Sequence, residues 1–331
     1  MSHLILHIGT HKTGTTTIQN SFWRSAIRLA RHGVVYPRLA YQHSGHHGLI
    51  AEEVGLSDAF KLKGRGPYTL ANLADRYADS DVDVFLSSEE FSRAEPNRSV
   101  NFDKLRECFR SFDRVTVLCF LRPQWRFLQS VYLEISQNRS PPRPSDLVQQ
   151  ALESGTCQGL YMDYTTLLSR LEQTFEPSEI VFVDFERARQ KSGGILSAAL
   201  AQTKSGLSQK DLSTVDGGHS NKSPDPLAQW MANLLAEPYA ATQEIREIAL
   251  STLSHKTPTC CLTRAEVNAL RDGFASSNAD FLEKRRSFQP EFQLTDPPPA
   301  TSCKFREDVT IEDWLRAGQF LARKSISRKA G

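Results

Sequence analysis

The sequence predicts an α/β fold: three layers, α/β/α, around a central, mostly parallel sheet, with a helical C-terminal part. Three observations carry that reading. Short apolar runs at 4–9, within 83–91, and at 115–121 and 180–185 each run into small or polar residues. Helical 3–4 spacing of apolar residues follows several of them, so strand and helix alternate. The third run, Val115-Thr116-Val117-Leu118-Cys119-Phe120-Leu121, is apolar and β-branched throughout, as in a parallel strand covered on both faces.

The first element is the most informative. Residues 4–9 close at Gly9, and Ile18, Phe22, Ala26 and Leu29 share one helical stripe, so the segment reads strand, loop, helix. The loop between them is Thr10-His11-Lys12-Thr13-Gly14-Thr15-Thr16-Thr17. Its glycines let backbone N–H groups point inward, and a helix N-terminus adds positive dipole at the same place. Lys12 contributes a full charge, and Thr15, Thr16 and Thr17 offer hydroxyls. A phosphate-like anion is the expected occupant. Gly9 and Gly14 keep the spacing of the triphosphate loop G-x-x-x-x-G-K-[ST], a P-loop NTPase-like feature, but position 15 is threonine and the lysine stands at 12.

Residues 33–37 predict a short extended piece ended by Pro37. The polar loop 41–49 holds His43, His46 and His47 without a carboxylate or cysteine at ligand spacing. No metal is expected there, and His46 or His47 is a candidate to face substrate. Residues 55–70, with Lys61, Lys63 and Arg65 among glycines, read as a mobile basic loop. The stretch 83–91 reads as a short buried strand running into polar residues, with Glu89 and Glu90 at its carboxyl end, where open parallel sheets bind ligands. Glu89, or Glu90, is a candidate general base; a carboxylate capping the next turn is the alternative.

The run 115–121 ends in Arg122-Pro123, and proline suits the first turn of the next helix. Arg122 and Ser130, two helical turns further on, can face one point, and an arginine grips phosphate with paired hydrogen bonds. A proline-rich break at 140–145 precedes a helix at 164–175 with Leu167, Leu171 and Phe175 inward. Residues 217–224 read as a flexible polar loop carrying Lys222. Thr263-Arg264-Ala265-Glu266 matches a capping box, 296–299 a stiff linker, and 309–324 a last helix before a basic tail. The expected division is one domain over 1–295, with linker, helix and tail over 296–331.

With 40 Lys and Arg against 38 Asp and Glu, the formal charge is +2, which argues against bulk nucleic-acid or membrane binding. No apolar run approaches the ~20 residues of a membrane helix. The six cysteines form no Cys-x-x-Cys pair, so neither zinc nor thioredoxin chemistry is suggested. A start without signal-peptide pattern makes a cytoplasmic protein the expectation.

The order Lys12-Thr13-Gly14-Thr15-Thr16 resembles the 5′-phosphosulfate loop of the sulfotransferases that use 3′-phosphoadenosine 5′-phosphosulfate (PAPS). Arg122…Ser130-Val131-Tyr132 resembles that family's 3′-phosphate signature, and the likeness spans roughly residues 4–190. It implies a bacterial-type, P-loop-like sulfotransferase with PAPS as donor, 3′,5′-adenosine bisphosphate as product, and no metal. His11, Lys12, Thr13, Gly14, Thr15, Thr16 and Thr17 would surround the 5′-phosphosulfate. Arg122 and Ser130 would hold the 3′-phosphate, and Lys222 would close a late loop over the nucleotide. Lys12 would stabilise the bridging oxygen, while Glu89 or His47 takes the acceptor's proton. The acceptor implied is a small molecule, sugar or polysaccharide. A P-loop small-molecule kinase using ATP and Mg²⁺ is the alternative, and a nucleotide-binding protein without turnover is the third reading.

Overall fold

Period-two alternation along the first strand sends Leu4, Leu6 and Ile8 to one face of a sheet and Ile5 and His7 to the other, and all five are buried. The computed structural model describes residues 1–39, 44–62, 66–94, 99–214, 223–253 and 257–329. In chain order the elements are β1 (His3–Gly9), α1 (Thr15–Arg24), α2 (Ala26–Arg31), β2 (Val34–Val35), α3 (Gly66–Tyr77), β3 (Asp83–Ser87), α4 (Phe102–Cys108) and β4 (Arg114–Leu121). Then come α5 (Gln124–Ile135), α6 (Pro144–Ser154), β5 (Thr156–Cys157), β6 (Leu160–Tyr161), α7 (Tyr164–Glu172), β7 (Ile180–Asp184), α8 (Phe185–Gln190) and α9 (Gly194–Leu200). The last are α10 (Pro226–Ala236), α11 (Gln243–Thr252), α12 (Arg264–Gly273), α13 (Ala275–Arg285) and α14 (Ile311–Lys329).

Contacts divide the chain into two units, 1–123 with 155–221 and 275–295, and 124–154 with 222–274 and 296–331. The first holds a five-stranded sheet in the order β2-β3-β1-β4-β7. Every neighbouring pair in it is parallel, where the sequence suggested only mostly parallel strands. β5 and β6 make a separate antiparallel pair. One face packs Leu4, Leu6, Val117 and Leu121 against Leu105 of α4, Leu167 and Leu171 of α7 and Phe281 of α13. The other packs Ile5, Phe85 and Phe120 against Ile18 and Phe22 of α1, Leu29 of α2 and Leu196 of α9. Covering both faces is what lets parallel strands be apolar throughout.

The second unit is helical. Leu227, Met231 and Ala232 of α10 pack with Ala249 of α11 and Ala317 of α14. Asn233 donates to the Tyr132 hydroxyl and to Ser136 Oγ, both at 2.8 Å. The expected 1–295 domain therefore differs from these units. Residues 124–154 and 222–274 join 296–331, because their apolar stripes cover one another and compactness follows contact, not chain order.

Two local expectations change. The helix expected to run through Ala26 and Leu29 breaks at Ser25, whose backbone sits at φ −96°, ψ 9° and whose Oγ accepts the Ser213 N–H at 2.8 Å. The basic loop expected over 55–70 ends where α3 begins at Gly66. The expected capping box forms: Thr263 Oγ1 accepts from Glu266 N–H at 3.1 Å and the Glu266 carboxylate accepts from Thr263 N–H at 2.8 Å. His43, Lys63, Arg65 and the 217–222 part of the late loop, Lys222 included, lie outside the described residues. No helix among the described residues is long and apolar enough to cross a membrane.

Candidate functional site

The connection leaving β1 runs toward β2, whereas the one leaving β4 runs toward β7 on the other side. Between the carboxyl ends of β1 and β4 the chain therefore diverges and opens a crevice, the place where open parallel sheets bind ligands. Gly9 ends β1 at φ +95°, and a Cβ there would lie 2.9 Å from Glu89 Cβ and 3.1 Å from Glu89 Cα. Only glycine lets the ends of β1 and β3 come so close. Thr10 then anchors the loop to β4, its N–H and hydroxyl both donating to the Phe120 carbonyl at 3.0 and 3.1 Å. The Thr13 hydroxyl donates to the Thr10 carbonyl at 2.6 Å, so this threonine shapes the loop from inside.

Lys12 adopts φ 59°, and Gly14, at φ 76°, is the N-cap of α1. Among the described residues no side-chain hydrogen bond caps that end, and no acidic residue stands in the first turn beside the helix's positive pole. Thr15 is buried, Thr17 half-buried and Thr16 exposed.

Arg122 follows β4 and reaches the same loop. Its Nη1 donates to the Lys12 carbonyl at 3.4 Å, and its Nε donates to Glu186 Oε1 at 2.8 Å. The Phe185 ring lies under the guanidinium, 5.2 Å from centroid to carbon, a cation–π contact. The Tyr164 hydroxyl donates to the Arg122 carbonyl and fixes the backbone. Lysine, helix terminus and arginine thus stand together although 110 residues separate the two cations in sequence. Ser130, the other residue expected with Arg122, is buried on α5 in the second unit.

A second cluster sits beside the loop. Gln19 Nε2 donates to Glu89 Oε2 at 2.9 Å. His47 Nδ1 is 2.8 Å from Ser88 Oγ, and a Cβ on Gly45 would lie 2.5 Å from His47 Nε2 and 2.9 Å from the Gln19 amide. The two side chains therefore close on one point. Burial pushes the Glu89 carboxyl up, but the His47 and His11 rings, a backbone N–H and Gln19 together outweigh it and hold the acid below its ordinary value. Glu90 differs: Arg93 Nε and Nη2 bind its two oxygens at 2.6 and 3.3 Å, so it serves as an ion-pair partner.

The histidines divide the same way. His46 Nδ1 accepts the Ser87 N–H at 2.9 Å, which makes Nε2 the donor to the Pro37 carbonyl at 2.8 Å and fixes a neutral ring. Burial holds it down to about 4. His46 is a structural residue. His11 Nε2 is buried, lies 3.9 Å from Glu90 Oε1 and has no hydrogen-bond partner among the described residues. Burial lowers its affinity for a proton, opposed by Glu90 and Glu89.

Sequence reasoning missed Gln19, Ser88 and the role of Glu186. A glutamine inside an amphipathic helix, a serine after a strand and a glutamate just past one carry no signal. A cavity of about 490 Å³ opens elsewhere in this unit, beside β7 and between α8, α9 and residues 289–293. Its lining mixes cations and carboxylates, Arg187 and Lys191 with Asp184 and Glu291, and includes none of the loop residues 9–17, so the loop, not the cavity, is the candidate site.

Compared with known proteins, the chain matches no family model, and no curated protein matches it significantly.

Proposed function

We propose that the protein transfers a sulfuryl group from PAPS to a hydroxyl or amine of an acceptor, a carbohydrate or glycoconjugate being the preferred class. One observation carries the reading. A lysine-bearing loop at an uncapped helix N-terminus is touched by Arg122 at 3.4 Å, at the divergence of β1 and β4. A nucleotide with an anionic group at each end matches such a pair of cations, and the absence of a Lys-Ser/Thr pair after Gly14 favours it over a triphosphate.

In this scheme the loop amides and Thr15 hold the 5′-phosphate, and Arg122 holds the 3′-phosphate. As the sulfur–oxygen bond to the donor phosphate breaks, its electron pair stays on the bridging oxygen, where Lys12 offsets the growing charge. The acceptor oxygen forms the new bond to sulfur, and its proton passes to Glu89, kept ionised at neutral pH by its surroundings. Positioning and charge stabilisation do most of the work, as in phosphoryl transfer.

Binding decides between donors. Calorimetric titration is expected to give 3′,5′-adenosine bisphosphate a much higher affinity than ATP with Mg²⁺. Arg122→Ala should weaken the bisphosphate by about tenfold or more, as for loss of a charged hydrogen bond, and leave 5′-AMP almost unchanged. An equal loss for both ligands contradicts the assignment, and tighter binding of ATP with Mg²⁺ points to the kinase.

A further inference from the structure

Arg122 does not wait in water for its ligand. Glu186 is 5% exposed, and its Oε1 lies 2.8 Å from Arg122 Nε. Its other oxygen is 3.7 Å from Arg189 Nη1. Both arginines lie over the ring of Phe185, at 5.2 and 5.5 Å. A buried carboxylate so close to the cation does two opposed things. It offsets part of the arginine's charge, and it repels any anion arriving at the same guanidinium.

We infer that Glu186 is a built-in competitor for the anion at Arg122, lowering nucleotide affinity so that the bisphosphate product can leave. The inference rests on the proposed nucleotide site. Its sign is the reverse of a merely supportive role, since a carboxylate that only orients the arginine would weaken binding when removed. Glu186→Gln keeps an oxygen for the Nε hydrogen bond and deletes the charge. The free variant then has one negative charge fewer beside the half-buried arginine, and a bound phosphate group supplies one.

The test combines thermal unfolding, calorimetry and steady-state kinetics on the full chain. Glu186→Gln is expected to melt lower than the parent when free and to show a larger upward shift with 3′,5′-adenosine bisphosphate. Its affinity should rise about tenfold, about 1.4 kcal/mol, with little change for 5′-AMP, while kcat falls as release slows. Glu186→Asp, the milder change if the first variant folds poorly, pulls the carboxylate back by one methylene and should tighten binding about threefold. Weaker or unchanged bisphosphate binding in the folded variants overturns the inference and leaves the proposed function standing. Failure of the parent protein to bind bisphosphate overturns both.

Discussion

Lys12 sits in left-handed backbone, at φ 59°, with its carbonyl accepting from Arg122, so its place is set by the loop and by β4 together. Lys12→Ala is expected to lower turnover by about 10²-fold or more, the scale of losing one preorganised charge-stabilising donor, with a smaller loss of donor affinity. Single-turnover rates at saturating PAPS check this, and unchanged rates take Lys12 out of the chemistry. Glu89 makes a second prediction. Its carboxyl is held below the ordinary glutamate value, so the acid limb of kcat/KM should lie below that range. Gln19→Ala removes a 2.9 Å hydrogen bond to the ionised form and should move the limb upward. A limb in the imidazole range transfers the role to His47. The sequence singles out Lys12, Glu89 and Arg122 because each follows the carboxyl end of a strand within a few residues. The choice of Glu89 over Glu90 is not legible in it, because only space reveals that Arg93 occupies Glu90.

At the scale of elements, two glycines position the site for different reasons. Gly9→Ala would press a methyl against Glu89 Cβ at 2.9 Å and Cα at 3.1 Å, in backbone that β1 and β3 hold from both sides. A loss of about 3 kcal/mol in urea unfolding is expected, with activity lost as Glu89 is displaced. Gly14→Ala meets Ile195 Cδ1 at 2.4 Å, but that methyl is the end of a flexible side chain. The φ of 76° remains, costing about 1–2 kcal/mol, so Gly14→Ala should be the milder of the two. The reverse order would show that the ends of β1 and β3 can part freely. The last strand of the sheet shows what pattern alone does not reveal. Gln289 Oε1 accepts the Phe182 N–H at 2.9 Å and its Nε2 donates to the Phe182 carbonyl at 3.0 Å. Arg285, 1% exposed, donates to the Ile180 and Pro177 carbonyls. These side chains complete the open edge of β7 much as a neighbouring strand would, and nothing in their sequence spacing announces it.

For the molecule as a whole, acid is the expected weakness. His7 and His46 are buried and neutral, burial holding each at about 4 against 6.5 for a free imidazole. Between these values the unfolded chain binds protons that the native state refuses. Stability should therefore fall as pH drops from about 6.5 to about 4, by as much as about 3 kcal/mol per histidine, and change little from this source below that window. Urea unfolding at about pH 7 and about pH 4.5 measures it, and equal midpoints would remove both histidines from the acid response.

The amino-acid sequence by itself determined the α/β class, the four main strands and the strand-loop-helix start with its lysine and two glycines. Each follows from local periodicity, glycine spacing and a helix start, which act over a few residues. Tertiary structure alone decided which of two adjacent glutamates stays available, that Arg122 meets Lys12, and that Glu186 shadows that arginine. It also decided which helices leave the sheet for a second unit. Those outcomes depend on strand order and on the packing of residues far apart in the chain, and a buried charge acquires its meaning only from the partner that folding puts beside it.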